Sequence, residues 1–209
     1  MLFHIFPGQN CYHRVALTFL HGYQQRSRRI LHQCLEPQHP PHHEVFSASR
    51  AGHLDSRLRR FIYRPDRLAE RYVKPGDRVL DFGCGPGFFT REFVKKAGDA
   101  GIVIAVDLQE EMLQLLREKL EPEGLMPRIR THQCVKDTLG LSPERDGSID
   151  IAFAIFVVHE VPDARELFRE ISSLLVPGGL LFLQTPVRRF RWGIPEHPCK
   201  GCRSRSPAG

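Results

Sequence analysis

Short apolar segments alternate with amphipathic segments from about residue 78 to residue 184, and this alternation restricts the possible folds more than any other feature. The apolar segments have the length of strands, and the segments between them have helical periodicity. Strands joined by helices need crossover connections, which produce a mostly parallel sheet with helices on both faces. The sequence therefore predicts a three-layer α/β sandwich.

The boundaries of the elements follow from periodicity and from turn residues. Strands are expected at Val79–Phe82, Ile102–Val106, Arg128–Cys134, Ile149–Ile155 and Leu180–Gln184. Helices are expected at Phe88–Ala97, Glu110–Leu120 and Ala164–Leu175, with Pro177-Gly178-Gly179 ending the last one. Upstream, Leu58–Tyr63 and Pro65–Tyr72 also have helical periodicity, so we expect them to pack on the entry edge of the domain.

The first strand of this region runs into a turn with glycine at every second position, Gly83, Gly85 and Gly87. Glycine lets the backbone adopt a positive φ and lets a ligand approach closely. The turn opens a helix, whose free N–H groups and positive dipole end face the carboxyl edge of the sheet, where open α/β sheets bind ligands. The spacing differs from the G-x-G-x-x-G pattern of dinucleotide-binding proteins.

Two acidic residues accompany this turn. Asp81 places a carboxylate at the expected ligand site. Its negative charge disfavours a pyrophosphate and favours an ammonium or sulfonium group. Asp107 ends the second strand, where a carboxylate can accept hydrogen bonds from both ribose hydroxyls. This charge pattern favours S-adenosylmethionine over NAD. The alternatives are capping roles for Asp81 in the turn and for Asp107 at the next helix, and Cys84 is expected to be a small residue that fills the turn.

Four motifs resemble those of class I S-adenosylmethionine-dependent methyltransferases, in the family's order, over about residues 58–186. They are Val79-Leu80-Asp81-Phe82-Gly83-Cys84-Gly85-Pro86-Gly87-Phe88-Phe89-Thr90, Val106-Asp107-Leu108, the segment from Asp150 to Asp163, and Leu175-Val176-Pro177-Gly178-Gly179. Within the class, the chain looks most like the small-molecule branch that includes the ubiquinone and menaquinone biosynthesis methyltransferases.

The resemblance implies a Rossmann-like fold, S-adenosylmethionine as cofactor and a small-molecule acceptor. It also implies that the glycines line the methionine and ribose portions, that Asp81 lies near the amino group, that Asp107 binds the ribose and that Leu108 packs on the adenine. The expected cofactor-binding residues are Asp81, Gly83, Cys84, Gly85, Gly87, Asp107 and Leu108.

Two further positions bear on binding and catalysis. The family often contacts the adenine amino group with an acidic residue after the third strand of the fold, where this chain has Val135, with Asp137 as the candidate substitute. His159, just past the fourth strand, is the candidate residue that contacts the acceptor or acts as general base. The alternative for His159 is a structural loop histidine.

The chain differs from the family at both ends. Only 25 residues follow Gln184, and they contain four prolines, whereas the family usually continues with another helix and two strands. We therefore expect the sheet to lack the last family strands and to leave the fifth strand as an exposed edge. The expected division is a variable, loosely ordered extension at 1–57, a cofactor-binding domain at 58–186 and a basic, proline-containing tail at 187–209.

The chain has a net charge of +6, and its basic residues are concentrated in the two flanks. Residues 1–64 hold nine arginines against three acidic residues, and residues 187–209 hold five arginines and one lysine against Glu196. Solvated tails are the simplest interpretation, and nucleic-acid binding is the alternative. Eight of the 11 histidines lie in residues 1–53, and Cys199 and Cys202 form one C-x-x-C pair near His197. Neither group has a convincing set of ligands, so no metal site is expected.

Six scattered cysteines without a secretory signal indicate reduced thiols, and no segment approaches the roughly 18 to 20 apolar residues of a membrane span. Cytoplasmic localisation is therefore expected. Two alternatives to methyl transfer remain at the level of sequence. An NAD-dependent oxidoreductase would need a glycine spacing and a catalytic pair that are missing, whereas a non-catalytic remnant that only binds is favoured by the short C-terminus. The sequence indicates neither the acceptor nor the oligomeric state.

Overall fold

The computed structural model describes residues 2–6, 12–18, 57–141 and 147–186. One sheet of seven strands runs through these residues, in the order β1-β2-β7-β6-β3-β4-β5. The strands are β1 (Leu2–Phe6), β2 (Tyr12–Thr18), β3 (Arg78–Phe82), β4 (Ile102–Asp107), β5 (Ile129–Gln133), β6 (Ile149–Ile155) and β7 (Leu175–Pro186). The helices are α1 (Arg57–Tyr63), α2 (Pro65–Tyr72), α3 (Thr90–Ala97), α4 (Glu110–Leu120) and α5 (Ala164–Leu174).

Five neighbouring strands, β7, β6, β3, β4 and β5, are parallel and confirm the predicted α/β Rossmann-like fold. Their side chains alternate between two apolar clusters, because successive residues of a strand point to opposite faces. Val79 and Phe153 belong to the cluster beneath α2, α3 and α4, and Leu80 and Ala152 belong to the cluster beneath α5. The Phe93 ring of α3 stacks on Phe153 with 4.0 Å between ring centroids. The two clusters hold the sheet between helical layers.

The expectation of an unpaired strand at the edge beside β7 is wrong. β2 pairs antiparallel with β7 from Tyr12 opposite Pro186 to Thr18 opposite Leu180, and β1 pairs antiparallel with β2. The N-terminal hairpin therefore extends the sheet on the side where the family was expected to continue with C-terminal strands. Residues 2–6 and 12–18 belong to the sheet and not to a loose extension, while the rest of residues 1–56 and the tail at 187–209 lie outside the described residues.

β7 starts five residues earlier than predicted. Ile149 pairs with Leu175 and Ile151 pairs with Leu180, so the register shifts between these two pairs. The extra residues include Pro177, which has no N–H to donate, and Gly178, which has a φ of 86°. The predicted turn is thus an irregularity inside one long strand, because α5 ends at Leu174 and extended backbone follows directly.

Candidate cofactor-binding site

The glycine turn lies at the carboxyl edge of the sheet, between β3 and α3. The backbone N–H groups of Gly83 and Cys84 both donate to the Val106 carbonyl oxygen, at 2.8 and 3.1 Å. These bonds tie the turn to the end of β4, so the ends of two neighbouring strands share one concave edge. Ligands of open α/β sheets bind at such an edge.

The three glycines are required for three different reasons. A Cβ at Gly83 would lie 2.5 Å from Cγ2 of Val157, so glycine allows the segment after β6 to approach the turn. A Cβ at Gly87 would lie 3.0 Å from Cγ of Leu116, so glycine allows α4 to pack there. At Gly85 the φ is 54° and nothing lies within 4 Å of an added Cβ, so this position faces open space. Of the three, Gly85 has the surroundings of a ligand contact.

Asp81 lies beneath the turn and is almost fully buried, with 2% of its surface exposed. Its Oδ2 accepts a 2.6 Å hydrogen bond from Oγ1 of Thr90, the first residue of α3. Burial raises the pKa of Asp81 to about 7, although the Thr90 hydroxyl bond lowers it and the charge of Asp107 raises it further. At neutral pH this carboxyl group is therefore close to half ionised.

Asp107 ends β4 and faces the turn from the other side, with 8% of its surface exposed. Its Oδ2 accepts from the backbone N–H of Gly85 at 2.9 Å, and its Oδ1 accepts from that of Gln109 at 3.0 Å. Burial raises the pKa of Asp107, and the backbone hydrogen bonds oppose that rise. Each carboxylate oxygen keeps a second lone pair for another donor.

Cys84 follows Gly83 in the turn and is buried in the core, where the charges of both carboxylates act on it. Burial raises the pKa of its thiol well above the ordinary value, and the charges of Asp81 and Asp107 raise it further. A thiol in this environment stays protonated at neutral pH and is a poor nucleophile. Its surroundings agree with the small, turn-filling residue expected from the sequence.

The residues expected beside the adenine lie on the loop after β5 and at the start of α4. Leu108 is partly buried against the apolar cluster beneath α5, and its carbonyl oxygen accepts from Nε2 of Gln133 at 3.2 Å. Val135, in the place where the family often has an acidic residue, is 61% exposed, and Asp137 is exposed two residues later. These positions border the carboxyl edge, but the adenine contact of Asp137 stays a prediction.

His159 lies in a short 3-10 turn, Val158–Glu160, just past β6. Its side chain is 14% exposed, and its Nε2 is 3.8 Å from Oε1 of Glu160. The segment before it approaches the glycine turn, since Val157 is the residue that fills the space above Gly83. The fold thus brings His159 to the same edge as both aspartates.

Two residues of this site were not singled out from the sequence. Thr90 stands at the end of the first motif, but its bond to Asp81 depends on α3 beginning at Thr90 and not at Phe88. Phe156 has a φ of 61°, which is unusual for a bulky residue, and its ring lies 5.0 Å from that of Tyr63 in an edge-to-face contact. No sequence signal marks a positive φ at a phenylalanine.

The described residues bear on two further features, metal binding and membrane spanning. Within the described ranges, no group of three or more His, Cys, Asp or Glu side chains could hold a metal ion. No helix in the part of the chain that the structure describes is long and apolar enough to cross a bilayer. The N-terminal histidines, the Cys199 and Cys202 pair and the basic tail lie outside the described residues.

Comparisons with known proteins agree on one relationship. Residues 79–179 match a family model described as a methyltransferase domain. A ubiquinone biosynthesis O-methyltransferase of Xanthomonas campestris is 34% identical over 122 residues, which cover 58% of this chain and 48% of that protein. A demethylmenaquinone methyltransferase of Lactobacillus johnsonii is 37% identical over 126 residues, 57% of this chain and 50% of that protein. The chain spans about half the length of these relatives.

Solved structures resemble the chain as well. A crystal structure of a SAM-dependent methyltransferase from Aquifex aeolicus has a TM-score of 0.60 and 28% sequence identity, and the match covers 66% of this chain and 71% of that one. A protein of Methanococcus maripaludis, described as a putative S-adenosyl-L-methionine-dependent methyltransferase, has a TM-score of 0.57 at 20% identity, covering 67% and 64% of the two chains, and shows the fold alone.

Proposed function

We propose, from the match of residues 79–179 to a methyltransferase-domain model, that the chain is a class I S-adenosylmethionine-dependent methyltransferase, which binds S-adenosylmethionine and transfers its methyl group to a small-molecule acceptor. The observation that carries the proposal is Gly85, the glycine that faces open space, together with the buried aspartates that belong to the ends of β3 and β4, one of which accepts the Gly85 backbone N–H. Cofactor binding follows from this site, and the acceptor class follows from the relatives.

The donor set fits the cofactor part by part. Asp107 offers two carboxylate oxygens to the ribose hydroxyls, while backbone amides hold its side chain in place. Gly85 allows the ligand to approach the backbone without a Cβ in the way. Asp81 places negative charge beneath the turn, where it attracts the ammonium group of the methionine portion. We propose that Gly83, Cys84, Gly87 and Leu108 shape this site by packing.

The cofactor supplies a methyl group on a sulfonium that is already activated for attack. The protein therefore has to align the acceptor and exclude water, and such positioning supplies roughly 7 to 11 kcal/mol of the barrier reduction. His159 lies at the edge from which an acceptor approaches, with Glu160 nearby as a carboxylate partner. We propose that His159 contacts the acceptor or accepts its proton.

The named relatives act in ubiquinone biosynthesis and on demethylmenaquinone, so an aromatic or quinone-type acceptor is the first class to examine for this chain. The same relatives favour methyl transfer over the oxidoreductase considered from sequence. We propose that the protein acts in the cytoplasm.

Binding and turnover need separate measurements, because a protein that only binds would pass the first and fail the second. Isothermal titration of the purified chain with S-adenosylhomocysteine should give a dissociation constant below about 1 mM. Incubation with methyl-labelled S-adenosylmethionine and a panel of catechols and naphthoquinols should then give a labelled, extractable product. Binding without any labelled product would favour the non-catalytic alternative, and the absence of binding would refute the proposal.

The role of His159 is tested on the acceptor that gives product. His159→Ala should lower kcat by roughly 100-fold or more if the imidazole accepts the proton, with S-adenosylhomocysteine affinity unchanged. His132→Ala is the matched control, because His132 bonds the Leu139 carbonyl oxygen on the loop beyond β5. Equal activity of both variants would remove His159 from the mechanism.

A further inference from the structure

Thr90 is a polar residue in an apolar environment. It is fully buried, at 0% exposure, and its neighbours Phe89 and Phe93 both belong to the core cluster beneath α2, α3 and α4. Valine has nearly the same shape as threonine, so packing alone does not explain the hydroxyl. The hydroxyl has one bond that explains it, the 2.6 Å donation to Oδ2 of Asp81.

The Asp81 carboxyl group depends on this donor for its charge. Two titratable groups act on it, Asp107 and Cys84. The negative charge of Asp107 disfavours a second negative charge on Asp81, whereas the Cys84 thiol is uncharged at neutral pH. Burial disfavours ionisation as the largest cause, and the Thr90 bond opposes it. Because Thr90 is the first residue of α3, the bond also places the carboxylate at the positive end of that helix.

From this geometry we propose that Thr90 is a positioning residue for the cofactor, whose hydroxyl bond to Oδ2 orients the Asp81 carboxylate and stabilises its charged form for the ammonium group of the methionine portion. The bond engages Oδ2 and leaves Oδ1 for a further donor. The inference rests on the proposed function, since it assumes that S-adenosylmethionine is the ligand. Thr90 itself touches no reacting atom.

A pH dependence follows that separates this role from simple packing. Because the pKa of Asp81 is raised to about 7, its ionised fraction rises between pH 6 and pH 8. The affinity for S-adenosylhomocysteine, which carries the ammonium group, should rise over the same interval. Loss of the Thr90 hydroxyl removes the bond that lowers this pKa, so the rise should move to higher pH.

The experiment compares Thr90→Val, Thr90→Ser and the wild-type chain by titration with S-adenosylhomocysteine at pH 6, 7 and 8. Thr90→Val should bind roughly tenfold more weakly at pH 7, because less of Asp81 is ionised without the hydroxyl bond, and its affinity should rise at higher pH than in the wild type. Thr90→Ser keeps the hydroxyl and should restore the wild-type profile. Thr131→Val is the matched control, since that hydroxyl accepts from Arg117 on α4.

A second ligand makes the test specific. 5′-Methylthioadenosine has the adenosine and sulfur but no amino acid portion, so its affinity should be the same for Thr90→Val and for the wild type. Equal weakening of both ligands, or an unshifted pH profile in Thr90→Val, would overturn the inference. Failure of the wild type to bind either ligand would instead refute the proposed function.

Circular dichroism of each variant checks that Thr90→Val folds. Should that variant fail to fold, Asp81→Asn decides, because the inference requires that removal of the carboxyl group abolish the rise in S-adenosylhomocysteine affinity between pH 6 and pH 8. Persistence of the rise in Asp81→Asn would overturn the inference.

Discussion

The carboxyl ends of β3 and β4 differ in how they solvate the same kind of charge. Asp107, on β4, accepts backbone N–H groups of Gly85 and Gln109, one on each oxygen. Asp81, on β3, is more deeply buried and accepts the single hydroxyl of Thr90. Burial raises the pKa of both groups, and it raises that of Asp81 to about 7.

From this difference we infer that the two carboxylates bind different portions of one ligand. A carboxylate held by two backbone amides has a fixed orientation, which suits a pair of neutral ribose hydroxyls. A buried carboxylate with one donor has a charge that depends on its surroundings, which suits a cationic group that stabilises the charge when it binds. The comparison predicts that substitutions at the β3 end alter the pH dependence of stability and of binding, and that substitutions at the β4 end alter the affinity for the ligand.

The largest expected effect is on stability at the β3 end. The raised pKa of Asp81 means that the folded state holds a proton more tightly than the unfolded state, whose value is near 3.8. The free energy of unfolding of the ligand-free protein should therefore fall as pH rises from about 4 to about 7, by roughly 3 kcal/mol over the part of that interval above pH 5. Asp81→Asn should lack this contribution, as measured by denaturant unfolding at pH 5 and pH 8.

The two proteins differ only at residue 81, so all other titrating groups should change their unfolding free energies equally. The prediction is therefore tested on the difference between the two proteins in the stability that each loses. The wild type should lose more stability than Asp81→Asn between pH 5 and pH 8, although the amide of asparagine places new donors in a buried site and lowers stability at both pH values. Parallel losses in the two proteins would show that Asp81 is ionised normally.

The next effect is on affinity at the β4 end. Asp107→Ala removes the proposed acceptor for both ribose hydroxyls, each bond to a charged group being worth roughly 1.5 to 3 kcal/mol. We expect S-adenosylhomocysteine to bind about 100-fold more weakly or worse in an isothermal titration. Unlike Asp81→Asn, this variant should weaken 5′-methylthioadenosine by a similar factor, because that ligand keeps its ribose.

Asp163→Ala is the matched control for Asp107→Ala. Asp163 caps α5 by accepting from the backbone N–H groups of Arg165 and Glu166, so it resembles Asp107 in its donors. Its loss should cost about 1 kcal/mol of stability and leave affinity unchanged. A similar loss of affinity in both variants would mean that Asp107 acts through folding and not as a ligand contact.

The sequence predicted the parallel core well because the signals there are local. The apolar run Ile149–Ile155 and the periodic segment Glu110–Leu120 were predicted with the bounds that the structure has. The resemblance also placed Asp81, Gly85 and Asp107 at one edge, where the structure brings them together. Short strands and helices with clear periodicity fix their own boundaries, and parallel order fixes which ends meet.

Long-range pairings were not predictable in the same way. β2 pairs with β7 across more than 160 residues, from Tyr12 opposite Pro186 to Thr18 opposite Leu180, and no local pattern names such a partner. The bond between Thr90 and Asp81 depends on where α3 begins, and that boundary was predicted two residues too early. In both cases the missing information is three-dimensional, since it concerns which backbone or hydroxyl lies within hydrogen-bonding distance.

The smallest effects concern the glycine turn between β3 and α3, where Gly85 and Gly87 should respond differently to alanine. Gly87→Ala combines a φ of 86° with a Cβ 3.0 Å from Leu116, so it should lower the unfolding free energy by about 2 to 3 kcal/mol. Gly85→Ala has open space around its Cβ and should cost only about 1 kcal/mol, from its φ of 54°.

The reverse order is expected for affinity. A methyl group at Gly85 enters the space through which the ligand approaches the Asp107 carboxylate, so Gly85→Ala should bind S-adenosylhomocysteine several-fold more weakly than folded Gly87→Ala does. Gly124→Ala is the control, because Gly124 has a φ of 66° and nothing within 4 Å of an added Cβ, but lies beyond the far end of α4. If Gly85→Ala and Gly124→Ala lose stability equally and neither loses affinity, Gly85 does not contact the ligand, and the proposed binding site loses its open position.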